Sequence, residues 1–225
     1  VSDEHAKEPL TRARILDAAV RLADESGMRA VTMRAIGDEL DREAMSLYHH
    51  VADKKALIAG MVDAVVAEVA EAGTAVHRAN WRATVRERCL EARRIMLSHP
   101  WAPSVIAQQE ESPASAFVLY NELVGTLLAA GFDHALAHRA IHALGSFVLG
   151  FSNELFDPAP GGDEEPDEAA MRAMAATFPH LLEMADMELH AAEGALSMCD
   201  TQAEFEFTLG LVLDGLEARR LELAG

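Results

Sequence analysis

Cysteine is scarce. Cys89 and Cys199 are the two in this 225-residue chain, far apart and without metal-type spacing. They read as reduced core thiols of a cytoplasmic protein rather than a disulfide framework. Long apolar runs are missing: no stretch of eighteen uncharged apolar residues occurs, which argues against a membrane span. The opening VSDEHAKEPLTR is polar and acidic and lacks the apolar core of a secretory leader, so a cytoplasmic location is expected. Period-2 alternation is nearly absent, while Ala, Leu, Glu and Arg abound, so the expected fold class is all-α. Enzyme signatures are missing too, with no His-Glu-x-x-His, no paired Glu-x-x-His, no phosphate loop and no nucleophile motif. No cofactor is expected.

Basic residues are also few, and their distribution is uneven. The net charge is -18. Residues 1–60 hold nine basic and eleven acidic side chains, whereas residues 61–225 hold ten and twenty-six. All three lysines, Lys7, Lys54 and Lys55, lie in the first segment. The bulk would be repelled by a polyanion, but a local basic face near the N-terminus would be largely screened from charges more than about 10 Å away. Half of the chain is apolar, enough for a sizeable interior.

What is present is a compact motif over Thr32–Leu57. Two very short helical segments flank a tight corner, an aromatic and two histidines close the second, and Asp-Lys-Lys opens a third. Segments this short cannot stand alone as helices and must pack as a unit. The pattern predicts a helix-turn-helix, whose second helix enters a DNA major groove. Before it, Pro9 suits a first helical turn, Ile15, Ala19 and Leu22 mark an inner face, and Gly27 is a natural stop. Thr32 is an N-cap with Ile36 and Leu40 inward, a segment near Glu43–His50 turns Leu47 and Val51 inward, and Asp53 caps a helix to about Glu71. That helix carries Leu57, Met61, Val65 and Val69 at four-residue spacing. Further helices are expected near 80–98, 102–110, 113–130, 133–156, 167–190 and 201–223. Gly73–Asn80 reads as a joint, and the Pro-, Gly- and acid-rich residues 157–167 as a loop.

The stretches RARILDAAVRLADESGMRAVTMRAI and AMSLYHHVADKKALIAGMVD resemble the tetracycline-repressor (TetR) family of bacterial regulators over about residues 10–60. More weakly, EFEFTLGLVLDGLEARRL resembles the last helix of the subgroup around the tetracycline repressor itself. The resemblance implies a homodimeric, ligand-responsive regulator, more often a repressor, that binds a palindromic operator and is released by a small apolar molecule. It divides the chain into a DNA-binding domain (1–52), a linking helix (53–72) and a ligand-binding and dimerisation domain (73–225). The corner departs from the family's Leu-Gly-Val: here it is Leu40-Asp41-Arg42. Asp tolerates a positive φ. Arg42 must either pack its stem and send its guanidinium outward or rebuild the corner.

Within the motif, the Tyr48 phenol is expected by family position to donate a hydrogen bond to a phosphate oxygen, with plain packing as the alternative. Lys54, at a helix N-terminus, adds a charge to a site that already favours anions. Lys55 reads as a solvated neighbour. Thr32 offers a cap and a hydroxyl for a phosphate, and Arg34 is expected by family position to reach a guanine, with a plain surface arginine as the alternative. Ala44, Met45 and Ser46 face the groove by position: the first two read thymine methyls or shape, and Ser46 donates to a base or phosphate. His49 and His50 extend that edge and either touch DNA or pack.

For the C-terminal part, Trp101, Phe117, His138, Phe147 and Phe151 are expected to line a ligand pocket, although aromatic residues at helical spacing also build cores. Phe205, Leu209, Leu213 and Leu216 would form a dimer seam with residues 141–156 and their symmetry copies. Two other readings stand beside the regulator. His134, His138 and His142 recur every four residues, so an adjacent pair could contribute ligands to a metal-binding protein or enzyme. All three span about 12 Å along one helix, too far for one tetrahedral site. A helical interaction module without DNA binding is the third reading.

Overall fold

The structure is a computed structural model, and it describes residues 9–72, 80–151, 176–180 and 201–224. Among these, every regular element is helical: α1 (Arg12–Ser26), α2 (Met33–Glu39), α3 (Ala44–Leu47), α4 (Lys54–Ala72), α5 (Trp81–Ser98), α6 (Ala102–Ala107), α7 (Ala114–Ala129), α8 (His134–Gly150) and α9 (Thr201–Ala224). The chain forms two compact units, residues 1–153 with 209–225, and residues 154–208. In the second, the described residues are 176–180 and the opening turns of α9. The expected helix at 167–190 falls largely, and the expected loop at 157–167 entirely, outside the described residues.

Local chemistry sets most boundaries. The Thr11 hydroxyl accepts from the Arg14 backbone N–H at 3.2 Å and starts α1, so Pro9 precedes the helix instead of forming its first turn. Gly27, at φ 75°, ends it. Thr32 caps α2 by accepting from Ala35 N–H at 3.1 Å, Asp53 accepts from Ala56 N–H at 2.7 Å, Asn80 caps α5 and Asp133 caps α8. Each such cap contributes about 1 kcal/mol. The segment expected over Glu43–His50 is shorter: only Ala44–Leu47 is α-helical, and Tyr48–His50 form a turn.

The first unit is organised around α4. This helix buries Leu57, Met61, Val62, Val65, Val66 and Val69, and it packs against α1, α5, α6 and α7. Its apolar residues spread around most of its circumference, as expected of a helix packed on several sides. Burying each of these side chains stabilises the fold by roughly 1.5–3 kcal/mol. No helix among the described residues is long and apolar enough to cross a membrane.

On α9, Leu209, Leu213 and Leu216, with Phe205, are buried in the single chain, at 8% exposure or less. They therefore belong to the interior and do not form the seam expected of them. The opposite side of α9 exposes Phe207, Leu211 and Leu221. Arg82 Nη2 reaches Asp214 Oδ1 at 2.5 Å, and Arg220 Nη1 donates to the Ala130 carbonyl at 3.2 Å, fixing the rotation of the helix.

Candidate functional site

The corner between α2 and α3 is built by two residues. Asp41 takes the left-handed conformation, φ 51°, in the place where glycine was the family expectation. Gly37 allows the close approach: a Cβ there would lie 2.7 Å from the Arg42 carbonyl oxygen and 3.2 Å from the Ala44 nitrogen. The Arg42 N–H donates to the Gly37 carbonyl at 2.8 Å and closes the turn. Arg42 itself is half-buried, with Nη1 donating to the Asp41 carbonyl at 3.3 Å. The stem is partly covered and the corner keeps its shape.

Around this corner Thr32, Arg34, Met45, Tyr48, His49, His50 and Lys54 are exposed, while Ala44 and Ser46 are half-buried. Met45 is 71% exposed. Arg34 makes a loose i,i+4 ion pair with Asp38 at 3.9 Å, too exposed to hold it in place. Ser46 spends its hydroxyl proton on the Glu43 carbonyl at 2.7 Å, so it does not present the donor expected of it. Thr32 is engaged as a cap. Lys55, expected to be solvated, instead bonds Glu110 Oε2 at 2.9 Å. That hydrogen bond holds the lysine above its ordinary pKa and the Glu110 carboxyl below its own.

A second set of contacts joins α1 to the body of the unit. His99 Nδ1 lies 2.9 Å from Asp24 Oδ1 and its Nε2 3.2 Å from Glu68 Oε2. Trp101 Nε1 donates to Asp24 Oδ1 at 2.7 Å. Trp101 is therefore turned toward α1.

A cavity of about 320 Å³ lies between α4, α5, α7 and α8. That is within the range of small-molecule sites. Its walls include Val66, Cys89, Met96, Tyr120, Leu144 and Val148, and Arg88 enters it from α5. None of the five residues expected to line a pocket lines this one. Trp101 is bound to Asp24, and Phe117 points outward at 64% exposure. His138 is exposed, with its ring 4.6 Å from that of His142. The Phe147 and Phe151 rings pack at a tilt with centroids 5.2 Å apart, and the Phe151 carbonyl accepts from Arg93 Nη1 at 2.8 Å. On α7 and α8 the cavity takes the sectors of Ala116, Leu119 and Leu123, and of Ile141, Leu144 and Val148, which exclude Phe117 and Phe147. Among the described residues no three His, Cys, Asp or Glu side chains are placed to share a metal ion.

Burial pushes the Cys89 thiol up to about 12. Against an ordinary cysteine this leaves roughly a thousandfold less thiolate at neutral pH. In a Cys199→Ser background, alkylation of folded protein by iodoacetamide at pH 7 should run at least a hundredfold slower than that of free cysteine. A rate matching free cysteine would mean that the thiol is not enclosed.

The comparisons with known proteins bear on both regions. Residues 15–61 match the model for bacterial regulatory proteins of the tetR family, and residues 75–220 match that for the tetracyclin repressor-like C-terminal domain. The chain belongs to the TetR family. TetR proteins are transcriptional regulators and not enzymes, and α2 and α3 are the family's helix-turn-helix. An HTH-type transcriptional regulator of Saccharopolyspora erythraea is 34% identical over 147 residues, an alignment covering 64% of this chain and 60% of that relative. A possible TetR-family regulator from Streptomyces coelicolor A3(2) superposes with a TM-score of 0.73 at 32% identity, over 92% of this chain and 98% of that one. The Streptomyces coelicolor TetR-family protein ActR, solved in complex with actinorhodin, gives 0.72 at 25% identity, over 95% and 99%. The metal-protein or enzyme reading is not favoured.

Proposed function

We propose that this TetR-family protein is a cytoplasmic repressor that binds a palindromic DNA operator as a homodimer and is released by a small, largely apolar effector. Residues 1–52 bind DNA, residues 53–72 link, and residues 73–225 hold the effector and dimerise. Thr32, Arg34, Ala44, Met45, Tyr48, His49 and Lys54 meet the duplex; Ser46 does so only through its exposed oxygen. The cavity between α4, α5, α7 and α8 takes the effector.

One observation carries the reading: the cavity and the phosphate anchor share a helix. Val66 and Val69 of α4 form part of the cavity wall, and Lys54 is the first residue of the same helix. A second tie runs in parallel, since Glu110 borders the cavity and holds Lys55. A molecule that fills the cavity pushes on α4 and Glu110 together and re-aims the reading head. Release requires that the effector bind the off-DNA conformation more tightly, typically by about 1–3 kcal/mol of coupling. The structure of the TetR-family protein ActR in complex with actinorhodin supports a small-molecule effector.

The DNA half of the proposal is tested with Lys54→Ala. A phosphate anchor positions without specifying. The variant should bind all operator variants more weakly by a similar factor and flatten the log–log salt dependence by about one unit. Unchanged affinity, or an altered preference at a single base pair, would reject the assignment. The operator itself is found by sequencing genomic fragments that the immobilised protein retains.

A further inference from the structure

Arg88 is the least expected residue in the cavity. It lies on the buried face of α5, with Val85, Cys89 and Ala92 on one flank and Thr84 and Ile95 on the other, and it is 8% exposed. A guanidinium keeps its charge when buried and carries five N–H donors. One nitrogen, Nη2, donates to the Glu122 carboxylate. The other two, Nε and Nη1, are buried and have no hydrogen-bond partner among the described residues. Buried donors without partners are rare in folded proteins and call for an explanation.

We propose that Arg88 is the polar anchor of the effector, and that Nε and Nη1 donate to an uncharged acceptor oxygen, a ketone, quinone or amide carbonyl carried on an apolar ring system. This rests on the cavity being the effector site. The charge around Arg88 selects the neutral acceptor. Glu122 on α7 already compensates the guanidinium, and Glu110 and Glu111, from the segment after α6, add two more carboxylates at the cavity wall. Lys55 on α4 balances Glu110. Two cations thus face three carboxylates, so an anionic effector would meet net repulsion and compete with Glu122 for the same guanidinium. A carbonyl oxygen accepts the free donors without adding charge. The rest of the wall is supplied by side chains such as Val66, Met96, Leu144 and Val148, which favour a flat apolar body. Cys89, held neutral by burial, adds no charge.

The test uses three rigid tricyclic probes: 9-fluorenone, fluorene and fluorene-2-carboxylate, titrated against the full chain by tryptophan fluorescence and calorimetry. Wild-type protein should bind fluorenone at least about tenfold more tightly than fluorene, the range of one hydrogen bond to a charged group. It should bind the carboxylate more weakly than fluorenone. In Arg88→Met the preference for fluorenone should fall to about unity while fluorene binds as before, which also shows that the cavity survives. Arg88→Met combined with Glu122→Gln removes the carboxylate left unpaired and should give the same result if the single variant is unstable. Equal binding of fluorenone and fluorene to wild type, a preference that persists in both variants, or tightest binding of the carboxylate would each overturn the proposal and leave the cavity as an apolar site. Failure of all three probes to bind would overturn the effector reading of the cavity, and this proposal with it.

Discussion

Leu211→Glu should leave the chain folded, convert dimers to monomers and lower operator affinity by more than a hundredfold. Leu211 is 56% exposed in the single chain, on a side of α9 that also exposes Phe207 and Leu221. Large apolar side chains aligned on one helix face mark an interaction surface. In a two-fold dimer every interface residue occurs twice, so one substitution places two carboxylates in the seam. A charge buried without a partner costs several kcal/mol, enough to separate a dimer at micromolar concentration. Each half-site alone would then be held by one reading head. Sedimentation velocity with circular dichroism checks this: native helicity, half the mass and no operator shift are expected. A stable wild-type monomer would overturn the dimer, and a dimeric Leu211→Glu protein would place its interface elsewhere. Leu213→Glu is the contrast. Leu213 is 1% exposed within one chain, so its charge should unfold the protein and not merely divide the dimer.

Gly37→Val should abolish operator binding while leaving the cavity intact. A Cβ at position 37 meets the Arg42 carbonyl oxygen at 2.7 Å and the Ala44 nitrogen at 3.2 Å, and both are backbone atoms that no rotamer change can move aside. The corner must open, which separates α2 from α3 and breaks the Arg42 N–H to Gly37 carbonyl bond. Overpacking of this kind costs typically 1–3 kcal/mol, and the two added methyl groups place valine toward the upper end. Thermal unfolding should show a destabilised protein, a gel shift should show no complex, and fluorene should bind as it does to wild type. A variant of native stability that still shifts the operator would show that the two short helices do not depend on this approach.

The motif around Thr32–Leu57 was legible because its signals are local. Capping by Thr32 and Asp53, the stop at Gly27 and the inward Ile36, Leu47 and Leu57 follow from spacing and side-chain chemistry within a few residues. Asp41 at the corner was legible too, as a residue that tolerates a positive φ. The cavity was not. Trp101, Phe117 and Phe147 are bulky aromatics, but bulk does not say which way a side chain faces. Arg88 was the signal to follow, a charge inside the apolar stripe of Val85, Cys89, Ala92 and Met96.

The sequence by itself determined the helical class, the place of the helix-turn-helix and most helix limits, since periodicity, capping and charge act over one or two turns. Only the tertiary structure decided that Leu213 is interior and Leu211 surface, that Trp101 turns to Asp24, and that Arg88 lines a cavity while keeping two buried donors without partners among the described residues. A helical wheel gives each side chain an angle about its own axis. Which angle meets a neighbouring helix, and which meets empty space, depends on how the other helices are placed, and that is settled by packing between residues far apart in the chain.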